Sequence, residues 1–307
     1  MNKPIPVTDW VSDFDHTDPR WTENPYPIWD ELRAECPVVH TNRFLGVYMP
    51  TTYEAVKAIA YDTEHFSSRR IIVRNSRPPI TQTAPPITSD PPEHKPAKQL
   101  LLPPFTPDAM KKLEPRVREI CNELIDQFIN DPSIDAAARY TKHIPVRAIA
   151  HMLGIPEQDG DLFIKWIHEI LELGITDEDT LMRAVEEMSH YFMGHIQARK
   201  SKPTDDLIST LMNARGPDGQ PLSDMHVLGS LRLLLIAGID TTWSAIGASL
   251  WHLAKTPADR ERLIAEPSLM PTAIEEFLRA YAPVTMAREV IKETTISGCP
   301  IKPENMV

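Results

Sequence analysis

Apolar positions recur at three- and four-residue steps through most of the chain beyond residue 107. Val117, Ile120, Cys121, Leu124, Ile125 and Phe128 form one such stripe, the period of a helix packed on one side. The same reading predicts helices over 144–153, 161–173, 177–200 and 205–214, with Gly, Pro and Asp breaks between them. The run 223–255 predicts the longest helix, about 50 Å at the α-helical rise. Shorter helices are predicted over 258–265 and 272–281. The tail turns to β-type text over 285–291, 295–297 and 299–301, with Ser297-Gly298 as a hairpin turn.

The first hundred residues are more mixed. Residues 29–34 predict a short helix, and 38–40 and 46–49 predict two short strands joined by a turn. Thr51-Thr52 predicts a cap for a helix with Val56, Ile59 and Ala60 on one face. Residues 78–107 hold ten of the thirty prolines, which predicts an ordered loop with at most a short helix inside it. The sum is a mainly α fold with a minor β-sheet, and 1–307 is expected to form a single domain.

Composition bounds the function without naming it. Apolar residues make up 42% and charged ones 24% of 307, ordinary for a chain that buries a core. A net charge of −11 argues against nucleic acid or an anionic membrane as the main partner. Three scattered cysteines, Cys36, Cys121 and Cys299, fit a reduced, cytoplasmic compartment better than a disulfide framework. The apolar run 227–253 is interrupted by Arg232 and Asp240, so it reads as a buried helix and not as a membrane span. No metal-ligand spacing is found among the histidines, and no Walker loop, G-x-G-x-x-G, H-E-x-x-H or C-x-x-C occurs.

The middle of the long helix breaks two local rules at once. It reads Leu233-Leu234-Leu235-Ile236-Ala237-Gly238-Ile239-Asp240-Thr241-Thr242. A carboxylate in such a run costs several kcal/mol unless paired or neutralised, on the order of a buried polar group. Gly238 costs roughly 1 kcal/mol of helix propensity against alanine. Function can override stability in this way. Two plainer readings stand beside it: Thr241 bonding back one turn, and Asp240 in a buried salt bridge. Further on, Glu276 and Arg279 lie three apart on a predicted helix, the spacing of an ion pair.

Taken in order, these stretches resemble the cytochrome P450 family, soluble bacterial type. Ala237-Gly238-Ile239-Asp240-Thr241 is similar to its oxygen-activating motif, and Glu276-Phe277-Leu278-Arg279 to its E-x-x-R pair. Asp90-Pro91-Pro92-Glu93-His94, with Phe105-Thr106-Pro107 downstream, resembles the stretch entering the haem-facing helix. Asn24-Pro25-Tyr26-Pro27 through Phe66-Ser67-Ser68 resembles the family's opening. The resemblance covers nearly the whole chain.

The resemblance implies a monooxygenase that inserts one atom of O2 into a small apolar substrate, using haem b and electrons from a ferredoxin and its NAD(P)H-dependent reductase. It implies oxygen-activating roles for Thr241 and Asp240, and places Ala237 and Gly238 beside the haem. His94, Lys98 and Arg288 would hold the propionates, and Glu276 and Arg279 would brace the core. Leu233, Ile236 and Val284 would line the substrate pocket, under a loop over 69–89.

Three departures accompany it. Lys98 stands where the family usually has arginine, keeping the charge without the bidentate fork. Pro96 would remove a hydrogen bond if the helix began at Asp90, and His94 could equally face solvent. The family's cysteine loop is absent, and none of the three cysteines reads as an iron ligand. The expectation is therefore a chain lacking the C-terminal haem-ligand part, inactive by itself; a haem-free fragment binding at most an apolar ligand is the alternative. Lys95, Lys98, Lys111, Lys112, Arg116 and Arg118 form a basic island suited to an acidic redox partner, or simply a solvated helix face.

Overall fold

The structure, a computed structural model, describes residues 6–75, 83–216 and 218–307. It is mostly helical with small antiparallel sheets, and the chain packs as two compact units.

The first unit joins residues up to 94 with 286–307. Three helices open it: α1 (Trp10–Asp13), α2 (Pro19–Glu23) and α3 (Tyr26–Glu35). The strands β1 (Val38–Thr41) and β2 (Val47–Pro50) then pair antiparallel, from Val38 opposite Pro50 to Thr41 opposite Val47. Thr52 caps α4 (Tyr53–Tyr61) through the Ala55 amide, as the Thr-Thr pair predicts. The buried face of α4 is Ala55 and Ile59; Val56, expected there, is 49% exposed. It lies one residue off the stripe, a rotation of about 100° at 3.6 residues per turn. Arg43 ties the opening together by bonding Asp13 (2.7 Å) and Asp15 (2.9 Å).

The second unit runs from 95 to 285 and holds the largest core. It begins on α5 (His94–Leu101), an eight-residue helix in the proline-rich stretch. The helix starts at His94 and not at Asp90, so Pro96 sits in the first turn, where no amide donor is needed. The next helices are α6 (Pro107–Asp126), α7 (His143–Leu153), α8 (Gly160–Leu171), α9 (Glu178–Ser201) and α10 (Leu207–Asn213). They lead to α11 (Asp224–Lys255), capped by Ser223, then α12 (Pro257–Ala265) and α13 (Met270–Ala280). Phe163, Trp166, Phe192, Ile196 and Leu231 are fully buried together among α8, α9 and α11.

The chain then returns to the first unit. There β3 (Phe66–Ser67) pairs β4 (Glu289–Val290), and β5 (Thr294–Ile296) pairs β6 (Cys299–Ile301) across the Ser297-Gly298 turn. The strand expected over 285–291 is thus reduced to two residues. The segment before them is irregular, and Ala287 bonds Ile71 outside any ladder.

Helix α11 is buried only in part. Val227 to Leu235 lie almost wholly inside the core, but from Ala237 onward the helix is progressively uncovered, with Leu250 and Trp251 exposed. By length and composition it is apolar enough to cross a membrane. The buried Arg232, bonded to Ser189 at 2.9 Å, and the half-buried Asp240 mark it as a helix with polar business inside a protein.

Candidate active site

The α11 motif sits where the helix passes from core to open surface. Ala237 is exposed and Ile239 is buried, so the exposed edge of the helix carries a side chain no larger than a methyl. The glycine beside it serves a different neighbour. A Cβ built on Gly238 would lie 3.2 Å from Cδ1 of Ile149, so the glycine lets α7 approach α11 closely.

Asp240 is half-buried and its carboxyl is pushed above the usual carboxylate range. Burial is the main cause and the charge of Glu172 adds to it, while a hydrogen bond from Trp243 works the other way. No salt bridge to Asp240 occurs among the described pairs, so no cation offsets that rise. A protonatable acid beside an apolar surface is suited to delivering protons. Thr241 donates its hydroxyl to the Ala237 carbonyl at 2.8 Å, the back-bonded geometry of a helical threonine. Turning that hydroxyl outward requires giving up one local bond.

The other predicted residues fall as follows. Leu233 and Ile236 are half-buried against the main core, and Val284 is 44% exposed in the irregular segment after α13. Glu276 and Arg279 form a bidentate pair on α13, with both bonds 2.7 Å. Both side chains are exposed, and α13 buries none of its residues. Lys98 is exposed near the end of α5, and His94, half-buried, is its first residue. In the first unit, Arg288 donates to the Ala287 carbonyl at 2.8 Å, with its backbone paired to Val307. The lid loop falls partly on 76–82, outside the described residues. Of its arginines, Arg69 lies 3.5 Å from Asp90 and Arg70 lies 3.3 Å from Glu289.

Haem fits the α11 surface. A flat macrocycle can lie against Ala237 without meeting a long side chain, and the uncovered apolar helix beyond it supplies nonpolar contact. The cysteines do not fit as iron ligands. The Cys36 thiol donates to the Val38 carbonyl at 3.1 Å. Cys121 packs with Tyr140 in a small apolar cluster. The Cys299 thiol is pushed up by burial and by Cys36, which disfavours the thiolate that iron needs. The histidines and acids add no alternative, since no cluster of metal-ligating side chains occurs among the described residues.

Sequence reasoning missed Trp243 and Glu172, the two side chains that act on Asp240 besides burial. Trp243 had a signal, three residues beyond Asp240 on the same helix. Glu172 had none, because it arrives from the end of α8 through tertiary packing.

Comparison with known proteins identifies the family. The family model described as Cytochrome P450 matches residues 146–307. The vitamin D(3) 25-hydroxylase of Pseudonocardia autotrophica is 33% identical over 291 residues, covering 93% of this chain and 72% of that protein. The mycinamicin IV hydroxylase/epoxidase of Micromonospora griseorubida is 31% identical over 284 residues, covering 89% and 70%. The solved structure of cytochrome P450 CYP109Q5 from Chondromyces apiculatus superposes with a TM-score of 0.83 at 30% identity, over 97% of this chain and 76% of that one. With the acid–threonine pair on its long helix, the E-x-x-R pair on α13 and relatives of this similarity, the chain belongs to the cytochrome P450 family of oxidoreductases.

Proposed function

We propose that this chain carries the oxygen-activating helix and much of the haem cradle of a monooxygenase that inserts one atom of O2 into a small apolar organic molecule. The observation that carries the proposal is Asp240, an acid held toward its protonated form beside Thr241 on an apolar helix. Haem, when bound, supplies the iron at which dioxygen is activated.

The protein's part is proton delivery and positioning. Asp240 takes a proton from the solvent side and passes it toward Thr241, whose hydroxyl swings from the Ala237 carbonyl to donate forward. Ala237 presents the surface for the macrocycle, and Gly238 keeps that surface close to α7. His94, Lys98 and Arg288 would each be available to a propionate, Lys98 as a point charge. Leu233, Ile236 and Val284 exclude water and hold the substrate by apolar contact. Glu276 and Arg279 brace α13 and touch neither substrate nor iron.

Electrons come from a ferredoxin reduced by an NAD(P)H-dependent reductase, in the cytoplasm. The basic island that would receive it is smaller than its sequence implies. Arg116 is engaged by Glu157 at 2.8 Å, Arg118 by Glu114 at 2.8 Å and Lys111 by Asp108 at 4.0 Å, which leaves Lys95, Lys98 and Lys112 as the island's exposed cations outside these pairs. The relatives' names, a vitamin D(3) hydroxylase and a mycinamicin IV hydroxylase/epoxidase, accord with an organic substrate.

A second reading has its own support. It is a haem-free fragment or pseudoenzyme that at most binds an apolar ligand, supported by the environments of Cys36, Cys121 and Cys299, which disfavour a thiolate ligand from these residues. The test of the leading reading is Thr241→Ala in a protein that carries the thiolate loop. Electron consumption should continue while product per electron falls; unchanged coupling would remove Thr241 from the proposal.

A further inference from the structure

The short link between α10 and α11 folds into a hairpin that meets the side of α5. Arg215 pairs with Pro221, the Gly216 amide donates to the Gln220 carbonyl at 2.8 Å, and the Gly219 amide donates to the Gly216 carbonyl at 2.9 Å. Between this hairpin and α5 lies a cavity of about 230 Å³, lined by Pro96, Gln99, Leu100, Arg215 and Gly216. All five residues belong to the second unit.

The three lining residues of α5 share one side of the helix. Positions 96, 99 and 100 fall three and four apart, so at 3.6 residues per turn they line up, and Lys98 points to the opposite side. The cavity is therefore separate from the side of α5 that would meet a propionate. Lys95, four positions before Gln99, stands exposed beside it. Pro96 and Leu100, both half-buried, give the cavity an apolar wall, and the exposed Gln99 and Arg215 add polar groups to it.

Arg215 supplies the charge. One of the guanidinium's five N–H donors goes to the Gly219 carbonyl at 2.9 Å, which holds the group against its own hairpin. No ion pair to Arg215 occurs among the described residues, and the Gln99 amide makes no side-chain hydrogen bond among them. The one acid of the hairpin, Asp218, accepts the Gln220 amide at 3.0 Å instead. A Cβ on Gly216 would come 3.0 Å from its Oδ1, so this carboxylate stands at the cavity's edge.

We propose that the cavity binds a small organic carboxylate with an apolar body, the carboxylate on Arg215 and Gln99 and the body on Pro96 and Leu100. The remaining donors of a planar guanidinium match a carboxylate's two oxygens. An apolar void of roughly 150 Å³ takes benzene, so 230 Å³ leaves room for one ring and its carboxyl group. An inorganic anion would leave the apolar wall unused, and an amine would meet a guanidinium. The net charge of −11 repels anions from the protein as a whole, so an anion held here is held by these local groups.

Binding at this cavity needs no haem, so benzoate is titrated into the 307-residue chain and followed by amide NMR. Signals of residues 99, 100, 215 and 216 should shift and saturate. Benzyl alcohol, close in shape but uncharged, should bind about tenfold or more weakly, the contribution of a charge-assisted hydrogen bond. Arg215→Gln should weaken benzoate by a similar factor, and Gln99→Leu should weaken it as well. Asp218→Asn keeps the acceptor for Gln220 and removes the opposing charge, so benzoate should bind more tightly. All three positions are exposed, so the fold should survive the changes. The absence of any saturable shift at these residues, benzyl alcohol binding as tightly as benzoate, or an unchanged benzoate affinity in Arg215→Gln would each overturn the assignment.

Discussion

Asp240 is the side chain on which the proposed chemistry turns, and its ionisation has a sign that can be checked. Burial, joined by the Glu172 charge, raises its pKa above the ordinary 3.8. The folded state therefore binds this proton more tightly than the unfolded state. Above 3.8, ionising the group costs stability, and that cost grows until the pH passes the folded value. Asp240→Asn should be more stable than the wild type in denaturant titrations at neutral pH, with the advantage shrinking as pH is lowered toward 4. A variant less stable at neutral pH would mean that the carboxylate is held by a partner instead.

The residue scale was also where the sequence was most readable. Asp240, Thr241, Glu276 and Arg279 stand out because helical spacing is local and needs no tertiary information. The pairing of Arg232 with Ser189, and the pressure of Glu172 on Asp240, join residues dozens of positions apart. Nothing in the local pattern encodes them.

Among the elements, α11 explains both what hydropathy captures and what it leaves out. Its apolar run predicts one buried helix, yet only its first half is covered within the second unit. A residue's apolarity records what it would bury and not whether a neighbour is there to bury it. The short helix α5 was obscured for another reason. Prolines dominate its surroundings, and only the observed start at His94 shows that Pro96 occupies a position without a needed donor.

Two glycines give the element scale a paired prediction. Gly154 ends α7 with φ +66°, and a Cβ there would lie 2.5 Å from Cβ of Asp206. Asp206 in turn caps α10 and pairs with Arg199. Gly154→Ala should cost about 1–3 kcal/mol, the range for a side chain forced into left-handed backbone. Gly194 lies inside α9 with nothing within 4 Å of its missing Cβ. Gly194→Ala should stabilise by about 1 kcal/mol through helix propensity alone. Urea unfolding of the two variants checks both signs.

At the scale of the molecule, the second unit is fastened by a buried polar network as well as by its apolar core. Arg199 pairs with Asp206 at 2.7 Å, donates to the Gly154 carbonyl at 2.6 Å, and lies 3.1 Å from Nδ1 of His195. His195 stacks near Tyr191, which bonds Asp159. Burial, then the Arg199 charge, lowers the His195 pKa, against the opposing charges of Asp159 and Asp206. A histidine depressed below 6.5 stays neutral in the folded protein while the unfolded chain takes up its proton. Stability should therefore fall as pH drops below 6.5 and level off once the folded value is passed. His195→Asn should flatten that part of the profile in thermal melts; an unchanged slope would assign the loss to other groups.

The overall class was legible because most of the chain's helices are set by local period. The small sheets were harder, since each strand has only two to four residues and draws its definition from its partner. The pairing of β3 with β4 joins positions 66 and 290. No periodicity could announce it.

The central claim, that this chain carries the oxygen-activating helix of a haem-thiolate monooxygenase and that Cys36, Cys121 and Cys299 do not supply the thiolate, is tested most directly by the reduced carbon monoxide spectrum. It is recorded after haem supplementation on the 307-residue chain and on a protein extended through the family's cysteine loop. The account predicts a thiolate-type Soret band in the extended protein and none in the 307 residues. A thiolate-type band from the 307 residues would contradict the exclusion of Cys36, Cys121 and Cys299. Its absence from both would contradict the monooxygenase reading itself.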